Sequence, residues 1–281
     1  MFSSHPRTFG QNRYVYPVVS RRAGGLSIGV NLNLDKVCNF DCTYCQVNRS
    51  EPGEKEFVET ERLAAELDAM VWWVTSGRIY DDPKFRPTPD CLRRLNDIAL
   101  SGDGEPTTYR NFDEVASVCA EVRRRHGLDG LKLVLITNAS MFHRPGVKRG
   151  LEILDAANGE IWAKLDAGTE DCYRAVARTV IPFRRILDNL LAAARVRPIV
   201  IQSLFMRTHG DPPSVAEQES YCDRLKEITA GGGRIKLVQI HTLARPPAES
   251  YVTALSNEEV DALAALVRKR TGLPVAAFYA A

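Results

Sequence analysis

The stretch Leu26-Ser27-Ile28-Gly29-Val30-Asn31-Leu32-Asn33-Leu34 decides the fold. Leu26, Ile28, Val30, Leu32 and Leu34 alternate with Ser27, Gly29, Asn31 and Asn33, and residues two apart in a strand share a face. One face is apolar and ready to pack. The other is small and polar, suited to line a wet, ligand-sized cavity. A closed eight-stranded barrel fills its interior with bulky branched side chains, so this strand points to a barrel that stays open. Five more strands follow: IALSG (98–102), LKLVLITN (131–138), EIWAKLDAG (160–168), PIVIQSLFM (198–206) and RIKLVQIHT (234–242). Amphipathic helical patterns over 58–74, 112–127, 183–196, 213–232 and 256–272 lie between or after them. Ser256 with Glu259 has the form of a capping box, and Gly272 is a stop signal. Strands alternating with helices imply a parallel sheet with right-handed crossovers. The expected architecture is α/β, an open partial (β/α)6 barrel with helices outside, formed by a single core domain over 26–281 after an N-terminal extension, 1–25.

The 281 residues are 44% hydrophobic, enough for a sizeable core, and 37 basic against 35 acidic side chains give a charge of +2. That balance does not suggest a dedicated nucleic-acid or membrane-surface binder. The N-terminal segment shows no secretory pattern and no stretch is long enough to span a bilayer, so a cytoplasmic protein is expected. Seven cysteines, an odd count in a reducing setting, argue against a disulfide framework.

Three of them stand together in CNFDCTYCQ, as Cys38, Cys42 and Cys45, directly after the first strand. Thiolates favour zinc, Cu(I) or iron–sulfur clusters. A closed structural zinc site needs a fourth Cys or His at short spacing, yet no histidine lies between His5 and His126, and the next cysteine is Cys91. Three cysteines with a distant fourth ligand would still make a zinc site. A [4Fe-4S] cube fits the count better: three irons take Cys38, Cys42 and Cys45, and the fourth is open to another ligand. Cubes usually take four cysteines, so the missing one is a sign of catalysis.

The spacing C-x3-C-x2-C with Tyr44 before the third cysteine resembles that of the radical S-adenosylmethionine (SAM) superfamily. The resemblance implies SAM bound at the open iron of a [4Fe-4S] cluster and cleaved on reduction to methionine and a 5′-deoxyadenosyl radical, which abstracts hydrogen from substrate. SGDGEPT (101–107) resembles the family's glycine–glycine–glutamate motif, which contacts the methionyl amino group. Asp103 replaces what is often a glycine, so either Gly104-Glu105 or Gly102-Asp103 takes that contact. In AKLDAGTED, Lys164 suits the SAM carboxylate and Asp166 a ribose diol; a mutual ion pair is the alternative. Ser203 on the fifth strand, His241 at the end of the sixth and Leu243 in HTLARPP complete the expected cofactor site. A satisfied core polar group is the competing reading for His241, Gln202 and Gln239. Thr137 and Asn138 read equally as a turn signal or as cavity lining.

CTYCQ, SGDGEPT, KLDAG and HTLARPPAE together are similar to the tRNA-wyosine-synthase-like group. No cysteine precedes Cys38, so a second cluster and tRNA as substrate do not carry over. The implied enzyme has one cluster, a small-molecule, nucleoside or polypeptide substrate, and an electron donor such as flavodoxin or ferredoxin. Glycyl-radical activating enzymes, which act on a partner protein, share its size and cluster motif, and a non-catalytic zinc or iron–sulfur protein is the alternative from another class. Cys119 and Cys222 read as small core hydrophobes, and Cys91 and Cys172 lie near loops.

Overall fold

The alternation of 26–34 becomes strand β2 (Gly25–Val30), flanked on one edge by an antiparallel strand, β1 (Val15–Ser20), that periodicity does not announce. The computed structural model describes residues 7–20, 22–49, 53, 57–247 and 249–280. Of the expected N-terminal extension, residues 1–6 and Arg21 lie outside the described residues, as does Ala248 of HTLARPPAE. The chain divides into two compact units.

In the first unit the strand order is β1, β2, β3 (Leu95–Leu100), β4 (Lys132–Thr137), parallel from β2 onward. Helices α1 (Thr60–Thr75), α2 (Phe112–Arg125) and α3 (Pro145–Ala156) belong to the same unit. Leu26, Ile28, Val30, Ile98, Leu100, Leu133 and Leu135 are buried, as are Leu63, Leu67 and Val71 of α1 and Val115 and Cys119 of α2. Helix α3 approaches α2 closely because Gly150 has no side chain: a Cβ there would meet the Phe112 ring at 2.4 Å. Burial pushes the Cys119 thiol up to about 12, consistent with its reading as a core hydrophobe.

The polar face of β2 differs from the wet lining its sequence suggests, because protein groups occupy it. Ser27 hydrogen-bonds Asp97, Asn31 reaches Asp103 at 2.7 Å, and Asn33 reaches Thr108 at 3.4 Å. Gly29 lies under the ring of Tyr16, its partner across the β1–β2 pair; a Cβ would sit 2.1 Å from that ring. One rung below, Asp97 pairs with Lys132 in register, and Lys132 binds Glu160 at 3.1 Å. Burial raises the Asp97 carboxyl to about 6 against the opposing bond from Ser27.

The second unit takes in β5 (Gly159–Lys164) from Ile161 onward, and its strand order is β5, β6 (Ile199–Leu204), β8 (Ile235–His241), β10 (Val275–Phe278), all parallel. A short antiparallel pair, β7 (Met206–Thr208) with β9 (Val252–Ala254), stands apart from that sheet. Helices α4 (Glu170–Ala177), α5 (Phe183–Val196), α6 (Val215–Ala230) and α7 (Asn257–Thr271) complete the unit. The capping box at Ser256 and Glu259 is formed, and Gly272 ends α7 at φ 71°. Gly168 is required for a close approach: a Cβ would lie 2.1 Å from the Tyr221 backbone nitrogen of α6. No helix among the described residues is long and apolar enough to cross a membrane.

Candidate functional site

The glycine-rich loop belongs to the first unit and is moulded onto the end of β2. A Cβ on Gly102 would fall 2.1 Å from Asn31 Oδ1, and one on Gly104 would fall 2.2 Å from the Val37 carbonyl. Both glycines are therefore demanded by packing within the protein. Asn31 grips Asp103 from both sides, accepting from its backbone N–H at 3.0 Å and donating to its carboxylate at 2.7 Å. The other carboxylate oxygen of Asp103 accepts from Arg7 at 2.6 Å. Glu105 is buried, and its Oε1 accepts from the backbone N–H of Thr107 at 3.1 Å and from the Thr107 hydroxyl. Asp103 is thus paired with the Arg7 cation, and Glu105 is held in part by Thr107.

Cys38 falls in the first unit, whereas residues 39–48, with Cys42 and Cys45, fall in the second. There the cysteine loop has little regular structure, and its backbone groups are met by other segments. Asp41 and Thr43 donate N–H bonds to the carbonyls of Ala177 and Val176, at the C-terminal end of α4. Arg178 Nε donates to the Asp41 carbonyl at 2.6 Å, and the Thr179 hydroxyl donates to the Asn39 carbonyl at 2.9 Å. The Asn39 side chain is held by Asn138 at 2.8 Å and Ser140 at 2.7 Å, so Asn138 shapes a turn and also grips the loop. Gln46 donates to the Arg245 carbonyl at 2.9 Å.

Tyr44 joins this loop to the end of β5. Its hydroxyl donates to Asp166 Oδ2 at 2.5 Å, and the ammonium of Lys164 stands 3.5 Å from the same oxygen and 4.9 Å from the centre of the Tyr44 ring. Asp166 Oδ1 accepts from the Leu204 backbone N–H at 2.8 Å. The Lys164–Asp166 ion pair foreseen as the alternative is formed. Burial, and then the Asp166 charge, push the Tyr44 phenol well above its ordinary range, so it stays a donor. Tyr44 also packs against the buried group of Leu204, Met206, Leu243 and Val252.

Other expected residues are set deeper. Ser203 is fully buried and bonds the Leu165 carbonyl and the Tyr221 hydroxyl, each at 2.6 Å. Gln202 donates to Gln239 at 3.0 Å, a satisfied core pair. His241 is buried at the end of β8. A cavity of about 190 Å³ opens beside Asp166, walled by Cys172, Leu204, Phe205, Met206 and Glu217. Burial and the neighbouring Glu217 keep the Cys172 thiol protonated. Glu217 itself accepts from the Gly168 N–H at 2.5 Å and the Thr169 hydroxyl at 2.6 Å. Arg7, Arg178 and Glu217 were not foreseen from the sequence. Each acts through a long side chain from a distant segment, and no local pattern announces such a contact.

Among the described residues no disulfide joins any of the seven cysteines, and Cys38, Cys42 and Cys45 are half-buried. Among the described residues no three His, Cys, Asp or Glu side chains gather as ligands of one metal ion. A cube places each thiolate on a different iron, and three half-buried thiols on one short loop are a donor set that fits it.

The profile of the radical SAM superfamily matches residues 32–213. A UPF0026 protein of Helicobacter pylori strain J99 is 25% identical over 82% of this chain and 66% of its own length, so the chain spans just under two thirds of that relative. Among solved structures, TYW1 with a lysine–pyruvate adduct aligns with a TM-score of 0.57 at 16% identity, over 86% of this chain and 73% of that one. A radical SAM methyltransferase from Sphaerobacter thermophilus aligns with a TM-score of 0.61 at 15% identity, covering 94% and 68%. These likenesses show a common fold, the α/β partial barrel of parallel strands with helices outside. With its profile match spanning more than half of its length, the chain belongs to the radical SAM superfamily.

Proposed function

We propose that this protein is a single-cluster radical SAM enzyme in which Cys38, Cys42 and Cys45 hold a [4Fe-4S] cluster. The observation that carries the reading is the 2.5 Å bond from Tyr44 to Asp166, which ties the cysteine loop to the strand end bearing Lys164. When bound and reduced, the cluster supplies the electron that cleaves SAM to methionine and a 5′-deoxyadenosyl radical able to take hydrogen from substrate. The chain's own residues bind and orient. Glu105, fixed by Thr107, receives the methionyl ammonium on the loop of Gly102, Asp103 and Gly104. Lys164 receives the carboxylate, and Asp166, which already accepts from Tyr44 and the Leu204 N–H, receives the ribose. Leu243 backs Tyr44 on the adenine side, and Ser203 and His241 brace the strand ends beneath. A small molecule, nucleoside or polypeptide is the substrate, a flavodoxin or ferredoxin the electron donor, and the cytoplasm the setting.

Anaerobic reconstitution with iron and sulfide tests this. The expected result is the broad visible absorbance of a cube and release of 5′-deoxyadenosine from SAM on reduction with dithionite. Cys42→Ala loses both. A protein that takes up zinc, lacks that absorbance and leaves SAM intact is the non-catalytic alternative, since the filled d-shell of zinc supports no such redox step. Formation of a glycine-centred radical on an added partner protein would mark the activating-enzyme branch.

A further inference from the structure

The segment leading into β1, together with that strand's first two residues, makes a series of contacts that an unstructured extension would not make. Three of its backbone amides, those of Arg13, Tyr14 and Val15, donate to the carboxylate of Glu66 on α1, at 3.0, 2.9 and 3.3 Å. Glu66 is buried and also accepts from Arg62 at 2.9 Å. The Tyr14 carbonyl accepts from the Asn31 N–H at 2.8 Å. Tyr16 crosses β2 over Gly29 and meets the Ser101 carbonyl at 3.0 Å, at the start of the glycine-rich loop. Arg7 reaches Asp103 in the middle of that loop at 2.6 Å.

Asp103 and Glu105 stand two residues apart, and each could pair with an ammonium group. The Arg7–Asp103 pair is partly shielded, with side chains 24% and 20% exposed. A charge-assisted bond there is stronger than a fully solvated one. We propose that the segment from Arg7 to Tyr16 is a strap that fixes the glycine-rich loop. In it Arg7 is a positioning residue that occupies Asp103 and withholds that carboxylate from the ligand's ammonium group. The ligand half of this inference rests on the SAM reading above. Without Arg7, Asp103 loses its cation and competes for the ammonium, and the loop loses one of its tethers.

Two measurements on the full chain test the strap separately from that reading. The first is amide hydrogen exchange of residues 101–108 without SAM, in wild type, R7A and R7K. Loss of one charge-assisted bond speeds exchange of these amides in R7A by about tenfold, and R7K restores most of the protection. The second is SAM affinity by anaerobic equilibrium dialysis with the oxidised cluster, which leaves SAM uncleaved. R7A weakens binding by about tenfold. D103G and the double variant R7A/D103G differ in SAM affinity by less than wild type and R7A do, because the Arg7–Asp103 contact is already gone from both. Unchanged exchange in R7A, unchanged SAM affinity in R7A, or additive losses in the double variant each overturn the proposal. A cluster-loaded wild type that binds no SAM refutes the proposed function and the ligand half of the inference with it, while the exchange comparison still decides whether Arg7 holds the loop.

Discussion

Replacing Arg178 by alanine and, separately, by glycine distinguishes two roles that this one residue combines. Its backbone is left-handed, at φ 46° and ψ 52°, where it caps α4. A side chain with a Cβ costs about 1 kcal/mol there relative to glycine. Its guanidinium holds the Asp41 carbonyl at 2.6 Å and Glu249 at 2.5 Å, and so links the cysteine loop to the segment after β8. The guanidinium is 35% exposed, so solvent screening reduces these contacts. Together they are worth about 2 kcal/mol. Alanine loses the contacts and keeps the strain, which predicts a destabilisation of about 2 kcal/mol. Glycine loses the same contacts and relieves the strain, which leaves a deficit of about 1 kcal/mol. Urea unfolding of the cluster-free chains measures that gap. Cluster retention behaves differently, because both variants lose the Asp41 contact: iron release to a chelator accelerates equally in the two. A glycine variant that recovers cluster retention along with stability would refute the reasoning, since the backbone and not the guanidinium would then hold the loop.

Asp97 supplies a pH dependence. Its folded value of about 6 lies above the ordinary 3.8, so the folded state binds this proton more tightly than the unfolded chain does. Its contribution is therefore fully present below about pH 4 and is lost as pH rises to about 6, a total of about 3 kcal/mol. Asp97→Asn removes this loss, and the variant's stability gain over wild type, read from urea midpoints, grows between pH 4 and pH 7; an equal gain at both pH values contradicts the burial argument. Tyr44→Phe deletes the donor to Asp166 and costs about 2 kcal/mol in unfolding experiments, with SAM affinity weakened in parallel; an unaffected SAM affinity would detach Asp166 from the site. Gly168→Ala forces a Cβ against the Tyr221 backbone, and soluble yield and thermal midpoint both fall.

The six parallel strands were legible because each is a short apolar run set between turn signals and helical repeats. Their limits were less so. The run 26–34 reads as one strand, but β2 ends at Val30, because Asn31 and Asn33 turn their side chains to Asp103 and Thr108. Strand β1 hid because it contains Pro17 and joins the sheet as an antiparallel edge, where a missing N–H is tolerated. Strand β10, VAAF, is too short and small to show alternation. Helix α3, PGVKRGLEILDA, carries two glycines that lower its propensity, one of them needed for packing on Phe112. Tyr44, Lys164 and Asp166 stood out by residue type and strand-end position, and the structure brings these three into contact. Arg7 and Arg178 did not stand out, because their meaning lies in a partner far away in sequence.

The manner in which the cysteine loop is held bears on the uptake of the proposed cluster. A loop of this length ordinarily leaves its backbone groups to water and remains mobile until a ligand orders it. Here the N–H groups of Asp41 and Thr43 and the carbonyls of Asn39 and Asp41 all have partners in the segment 176–179. Phe40 packs edge-on to Tyr173, which stacks on Phe183 at the start of α5. Tyr44 is fixed by Asp166 and by the apolar group around Leu243. These contacts are made by residues other than the three cysteines. The loop's shape around Cys42 and Cys45 is therefore determined by the fold before any iron arrives, and little ordering cost is left for cluster binding to offset. It follows that damage to the supporting segment 176–179 lowers affinity for the proposed cluster even with all three cysteines intact, which iron release to a chelator from the reconstituted variants measures.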